Sequence, residues 1–326
     1  MSHHLPRLAL YYDDAMVPPD VPGNYSQSPT KPRRFLEFLR QTPVWPHVDQ
    51  RSAVVPVTRE DLLLAHEPEY VDAFLTGRQS LASSNGLAWS PKFRDSVLRT
   101  NGCLLSAIRA ATDTREVVTM APVSGFHHAS PARGSGFCTF SGQVVAALKL
   151  YRERGLVGAW IDLDGHFGNS IEDSRGFAAD LAMAIPVGCN VNPVGNHAAY
   201  LRDLEQKLGS LGTRILAGEV HYVCFAHGAD SHEWDQLGHQ CSTEEWLAAA
   251  DQVYQSLRRW SDQLGRPVPV TLALFGGYRD DDPASVLGLH AMDVARCLGH
   301  LAGIESLLAY RAEVRRPARM GLSDAV

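Results

Sequence analysis

No stretch of this chain approaches the ~18 unbroken apolar residues that a membrane-spanning helix requires,. Its opening residues, MSHHLPRLALYYDD, lack the basic, apolar and small-residue succession of a secretory leader,. The six cysteines, at 103, 138, 189, 224, 241 and 297, form no CxxC pair and no regular spacing, which excludes a disulfide scaffold and a zinc ribbon and suits reduced thiols,. Blocks of like charge are also missing: 30 Lys and Arg against 36 Asp and Glu leave a net charge of −6, which argues against a nucleic-acid surface,. The short basic run Lys31-Pro32-Arg33-Arg34 reads as a helix start rather than a phosphate site,. Internal repeats, low-complexity tracts and linkers are lacking too. The expectation is a soluble, cytoplasmic protein with neither nucleic acid nor membrane as a partner.

What the chain does have is an ordinary globular composition, 45% hydrophobic and 20% charged over 326 residues, enough to bury a large core unaided,. Short apolar runs at Leu8–Tyr12, Val54–Val57, Glu116–Thr119, Val157–Asp162, Val220–Phe225 and Val268–Leu274 suit strands buried on both faces,. Helical segments lie between them. Thr58 with Asp61, and Ser242 with Glu245, have capping-box spacing,. Pro91 opens a helix to about Ala111, and Gly142–Arg154 and Ala198–Leu208 are helical in pattern,. This alternation predicts a single α/β domain over 1–326, with a mostly parallel sheet and helices on both faces.

In such sheets ligands bind beyond the carboxyl ends of the strands. Polar clusters fall at four of those ends. Val157–Asp162 runs into Asp164 and His166, and Val220–Phe225 into His227 and Asp230. Val268–Leu274 runs into Gly276, Gly277 and Tyr278, and Glu116–Thr119 leads to His127 and His128.

Asp164 and His166, two apart as the chain leaves a strand, can reach one point, where a carboxylate and an imidazole suit a zinc-type ion. Asp230 would add a second carboxylate. Taken singly, each has a plainer reading: an aspartate that caps a helix, a histidine satisfied in a loop. The tandem imidazoles of His127 and His128 suit acid–base work near neutral pH, or are a pair of loop histidines. In Phe275-Gly-Gly-Tyr278 the glycines admit close backbone approach and the tyrosine could donate to an oxyanion; a turn with a packed tyrosine looks the same.

Together the pieces resemble the zinc-dependent histone deacetylase-like amidohydrolases of the arginase/deacetylase superfamily. The matching segments are Gly125-Phe-His-His-Ala129, Ser135-Gly-Phe-Cys138, Ile161-Asp-Leu-Asp-Gly-His166, Gly228-Ala-Asp-Ser231 with Asp235-Gln-Leu-Gly238, and Gly276-Gly-Tyr278, with a looser match at Glu60–Val71. The resemblance implies that fold and one ion per chain, Zn2+ with Fe2+ or Co2+ as substitutes, held by Asp164, His166 and Asp230. It implies a structural K+ as well. His127 and His128 would flank the activated water, Asp162 would orient His127, and Asn169 would orient His128. Tyr278 would hydrogen-bond the substrate carbonyl, Phe137 would line an acyl-lysine tunnel, and the Gly136 carbonyl would accept from the scissile amide.

The chain departs from the family pattern at Phe167, where a second histidine usually follows the ligand histidine, and at Phe275, which shortens the glycine run. The second tunnel phenylalanine and the early substrate-gripping aspartate have no clear counterparts. Leu237 stands where polyamine-selective relatives can carry an acid, which turns the expectation from acetylpolyamines toward an acyl-lysine-like substrate or another small amide. A non-catalytic binding protein would tolerate loss of His127, His128 or Tyr278, and all are kept. An arginase-type second metal lacks ligands, since Gly168 and His232 stand where it needs carboxylates.

Overall fold

Among the described residues, five of the seven strands are buried along their whole length, and they form the middle of the sheet. The computed structural model describes residues 8–18, 26–113 and 118–317. Among these the strands are β1 (Leu8–Tyr11), β2 (Val48–Arg51), β3 (Val118–Met120), β4 (Gly158–Asp162), β5 (Asn190–Val191), β6 (Tyr222–Gly228) and β7 (Val270–Phe275). They make one sheet in the order β2-β1-β3-β7-β6-β4-β5, parallel at every pairing. The central strands β1, β3, β7, β6 and β4 are fully buried, whereas β2 and β5 close the edges and are partly exposed. Continuous apolar sequence is what a strand covered on both faces requires.

The helices are α1 (Lys31–Leu39), α2 (Arg59–Leu62), α3 (Pro68–Thr76), α4 (Pro91–Asp113), α5 (Gly142–Arg154), α6 (Ser170–Ser174), α7 (Leu181–Ala184), α8 (Ala198–Leu216), α9 (Thr243–Leu264) and α10 (Pro283–Leu301). Their starts follow local chemistry. Proline, whose missing N–H costs nothing in a first turn, opens α3, α4 and α10,. Capping boxes form at Thr58 with Asp61 and at Ser242 with Glu245, as their spacing predicts,. The run Lys31-Pro32-Arg33-Arg34 is indeed the first turn of α1.

Helices cover both faces. Thr119 in β3 donates to the Ala107 carbonyl of α4 at 3.0 Å and meets Thr271 of β7 at 2.9 Å, so these side chains point at α4. Phe225 and His227 in β6 point the other way, onto Tyr254 of α9 and Asp293 of α10. α1 packs beyond α10, with Phe35 and His290 6.2 Å apart ring to ring.

Two details differ from the sequence expectation. Val54–Val57 is irregular rather than a strand. Pro56 has no N–H for a ladder, Val57 donates instead to the Leu98 carbonyl of α4, and Val55 is exposed. The pairing beside β1 is taken by the polar segment Val48–Arg51. Of the expected strand Glu116–Thr119, residues 116 and 117 lie outside the described residues. No helix among the described residues is long and apolar enough to cross a membrane.

Candidate active site

β3, β7, β6 and β4 are consecutive in the sheet, so their carboxyl ends form one continuous ledge. Asp162 is the last residue of β4, and the turn after it delivers Asp164 and His166. The Asp164 N–H donates to Asp162 Oδ1 at 3.2 Å, and the His166 N–H to Asp164 Oδ1 at 3.0 Å, so the carboxylates themselves shape the turn. After β6, a short 3-10 turn, Ala229–Ser231, presents Asp230. The Gly165 N–H donates to Asp230 Oδ1 at 3.0 Å, lacing the two strand ends together.

One ligand atom from each of Asp164, His166 and Asp230 lies within 4.8 Å of the other two. His166 Nδ1 is 3.1 Å from Asp164 Oδ1 and 2.9 Å from Asp230 Oδ2, which makes Nδ1 the nitrogen facing the cluster. Both carboxylates are buried, Asp230 completely. Burial first, then the neighbouring Asp164 charge, pushes the Asp230 acid up to about 6,. Two buried carboxylates facing one imidazole form a donor set that a divalent cation satisfies, so the residues fit a metal ion.

Three supports lie behind these ligands, and sequence reading assigned a role to none. Lys31, at the start of α1, is buried and donates from Nζ to the Gly276 carbonyl at 2.5 Å. Burial lowers its ammonium pKa to about 8 against the opposing pull of Asp230, Asp164 and Asp235. Asp235 accepts the Tyr278 N–H at 2.7 Å on one oxygen and the Leu237 N–H at 3.0 Å on the other. His66 bridges the loop after the histidine pair to the start of α5, contacting the Ser130 carbonyl at 3.0 Å and accepting the Ser141 N–H at 2.9 Å. A lysine in a first turn ordinarily reads as solvated, so nothing marked Lys31; Asp235 was visible only as part of a motif.

The tandem histidines follow β3 by a short loop, and their rings lie 4.1 Å apart, centroid to centroid, tilted by 46°. His127 Nδ1 is 2.8 Å from Asp162 Oδ2, and its Nε2 is 3.7 Å from Asp164 Oδ1. His128 Nδ1 is 2.8 Å from Asn169 Oδ1. Their surroundings differ sharply. Burial alone would depress His127, but the carboxylates of Asp164 and Asp162 outweigh it and raise the imidazole to about 9. Burial, then the adjacent His127 charge, lowers His128 to about 4.

Around this centre stand the expected substrate residues. Gly136 and Phe137 both have left-handed φ, 49° and 62°. A Cβ on Gly136 would lie 2.7 Å from the His128 ring, so only glycine permits that approach,. The Phe137 ring is 5.9 Å from Tyr278, and Tyr278 is 6.4 Å from His166. Burial, reinforced by Asp164 and Asp230, raises the Tyr278 phenol far above its usual range, so it remains a donor,. Gly276 and Gly277 bring the chain to Tyr278 with φ of 54° and 94°. Leu237 is partly exposed beside this group, and Phe167, directly after His166, is more exposed still.

A parallel α/β domain with carboxylates, imidazoles and a tyrosine on adjoining strand ends has known counterparts. Residues 25–180 match the model of the histone deacetylase domain, a span that takes in His127 through Asn169 and ends before Asp230 and Tyr278. The chain is 27% identical over 185 residues to histone deacetylase 8 of Arabidopsis thaliana, covering 55% of this chain and 48% of that protein. It is also 27% identical over 241 residues to an uncharacterized protein of Picosynechococcus, covering 67% and 75%, and 24% identical over 264 residues to Arabidopsis thaliana histone deacetylase 2, covering 71% and 64%. The first alignment thus spans about half of its relative. The solved HDA15 HD domain superposes with a TM-score of 0.67 at 20% identity, over 93% of this chain and 92% of that one, and shares its fold. Residues 25–180 are thus similar to the histone deacetylase domain, and the chain as a whole shares the fold of a solved member of that group.

Proposed function

We propose that this protein is a single-domain metal-dependent amidohydrolase that removes the acyl group from an N-acyl amine, with an acyl-lysine-like side chain as substrate. The observation that carries this reading is the convergence of Asp164, His166 and Asp230 within 4.8 Å, beside the adjoining rings of His127 and His128. One Zn2+ per chain suits two carboxylates and an imidazole; Fe2+ and Co2+ suit them too. When bound, the ion would supply Lewis acidity and lower the pKa of water.

The protein's own groups do the rest. The substrate's acyl-bearing arm lies along Phe137, and its amide N–H donates to the Gly136 carbonyl. The Tyr278 hydroxyl donates to the amide oxygen as negative charge gathers there. The histidine pair takes a proton from water as the water oxygen bonds to the acyl carbon. The C–N bond then breaks, and the pair returns a proton to the leaving nitrogen, giving a carboxylate and an amine. Asp162 raises the basicity of His127, whereas Asn169 holds the His128 ring without adding charge. A structural K+ is part of the same reading, tested by comparing stability and turnover in K+ and Na+ buffers.

Metal analysis of the purified protein, paired with hydrolysis of acyl-lysine amides and acetylpolyamines, tests the proposal. About one ion per chain and chelator-sensitive turnover are expected; absence of metal after reconstitution would refute it. Asp164→Ala should lose the ion. Tyr278→Phe and His128→Ala should keep it while turnover falls by about 10²-fold or more, and full activity in all three variants would show the site to be misassigned.

A further inference from the structure

Each imidazole of the histidine pair is held from behind, but by a different kind of group. His127 Nδ1 meets the Asp162 carboxylate directly, whereas His128 Nδ1 meets the Oδ1 of the Asn169 amide at 2.8 Å. The other end of that amide is occupied as well: Asn169 Nδ2 donates to Asp173 Oδ2 at 2.5 Å. Asn169 and Asp173 lie one helical turn apart at the start of α6, where the Asp173 N–H donates to the Asn169 carbonyl at 2.9 Å. Side chains four residues apart share a helix face.

Asn169 stands at the N-cap of α6, where an asparagine ordinarily turns its side-chain oxygen onto a backbone N–H of its own helix. It makes no such bond here, and that oxygen faces His128 instead. The backbone is pinned on both sides: the Gly168 N–H donates to Asn192 Oδ1 at 2.9 Å, and the Ser170 N–H to the His127 carbonyl at 2.9 Å. What the backbone leaves open is which end of the amide faces the imidazole. Asp173 closes that choice. A carboxylate only accepts, so the amide nitrogen must face Asp173 and the amide oxygen must face His128. A neutral His128 then carries its proton on Nδ1 and keeps a lone pair on Nε2, the form a base needs. Turned over, the amide would offer an N–H to Nδ1, and the ring proton would move to Nε2. Arg175, two residues beyond Asp173, is held by both oxygens of Glu172 and by the Ile185 carbonyl.

We propose, resting on the hydrolase reading above, that Asp173 is a positioning residue for proton transfer: by fixing the Asn169 amide it sets the tautomer of His128. Asp173 touches neither the substrate nor the ion. It acts through Asn169, giving His128 the form that takes a proton from water at Nε2 as the water oxygen bonds to the acyl carbon. The same nitrogen then returns that proton to the leaving amine. Both histidines therefore end on a carboxylate, His127 at first hand and His128 across one amide. The effect of Asp173 lies in orientation rather than in charge, because solvent screens an exposed carboxylate,.

The test uses the metal-loaded full chain, the amide probes named above, and isotope-labelled histidine for nitrogen NMR. In the unaltered protein the His128 proton should sit on Nδ1. In Asp173→Ala it should divide between Nδ1 and Nε2, while kcat falls about ten-fold and KM and ion content hold. A second background separates positioning from mere support of α6. Asn169→Asp gives His128 a carboxylate directly and makes Asp173 a like charge beside it, so adding Asp173→Ala there should raise kcat. A loss of kcat from Asp173→Ala in both backgrounds, or an unchanged His128 tautomer, would overturn the inference and leave the hydrolase reading standing. Full activity in Asp173→Ala would do the same. An unaltered protein that binds one ion per chain yet hydrolyses none of the probes would overturn the hydrolase reading itself, and this inference with it.

Discussion

Gly276 has almost no room to vary. Its φ is 54°, its carbonyl accepts from buried Lys31, and a Cβ there would lie 1.8 Å from Asp230 Oδ1 and 3.0 Å from Asp164 Oδ2. Gly276→Ala must either unwind the turn or push Asp230 aside, with a backbone strain of about 1–3 kcal/mol. The expected outcome is lower metal stoichiometry together with a lower urea midpoint. Gly176→Ala is the control, since nothing lies within 4 Å of a Cβ there; equal metal content in both variants would refute the close approach. At this scale the sequence was informative wherever spacing itself carries geometry. Asp164 and His166 leave one strand two residues apart, and their convergence follows. Lys31 was illegible because its burial comes from α10 and the β7 turn folding over it, and no local pattern records that.

At the scale of elements, the turn between α2 and α3 is fastened by one imidazole. His66 Nε2 accepts the Ser141 N–H, so the ring's proton sits on Nδ1 and is donated to the Ser130 carbonyl,. Protonating Nε2 would break the first bond, and burial lowers this histidine from 6.5 to about 4. The unfolded chain therefore binds the proton more readily than the folded one. The stability that His66 contributes is complete above pH ~6.5 and is lost progressively as pH falls toward 4, by about 3 kcal/mol at most. Urea midpoints measured from pH 7 to 4.5 should fall more steeply for the unaltered protein than for His66→Leu; identical slopes would exclude this linkage. Some slope will remain, because His232 and His290 are lowered by burial too. Elements were legible in proportion to their apolar continuity. β6 and β7 read plainly, whereas β2, with the sequence VDQR, is held by its neighbour rather than by its own composition. β5 has two residues and no pattern at all.

For the whole molecule, the doubly covered sheet was readable from strand–helix alternation, but strand order was not, since pairing is set by long-range packing. The buried carboxylates of Asp164 and Asp230 would make a bound metal ion part of the stability of the fold. An ion at 100-fold excess over its Kd would add about 2.7 kcal/mol. Chelation should lower Tm measurably, and Asp164→Ala should abolish that shift; a Tm indifferent to chelation would separate the ion from the fold. The proposed ligands all come from β4 and β6, direct neighbours paired over five residues. His127 and Tyr278 lie on the loops that follow β3 and β7, and enter the site only when the wider sheet has assembled. Closing the chain from 164 to 230 is the shorter event, and closing it from 127 to 278 the longer. Refolding with metal present should then show ion uptake ahead of returning turnover, and simultaneous recovery would contradict it. If the proposed function holds, a chain emerging from the ribosome would pass a stage at which it could hold an ion but not yet use it, which would postpone hydrolysis until synthesis has passed the last strand.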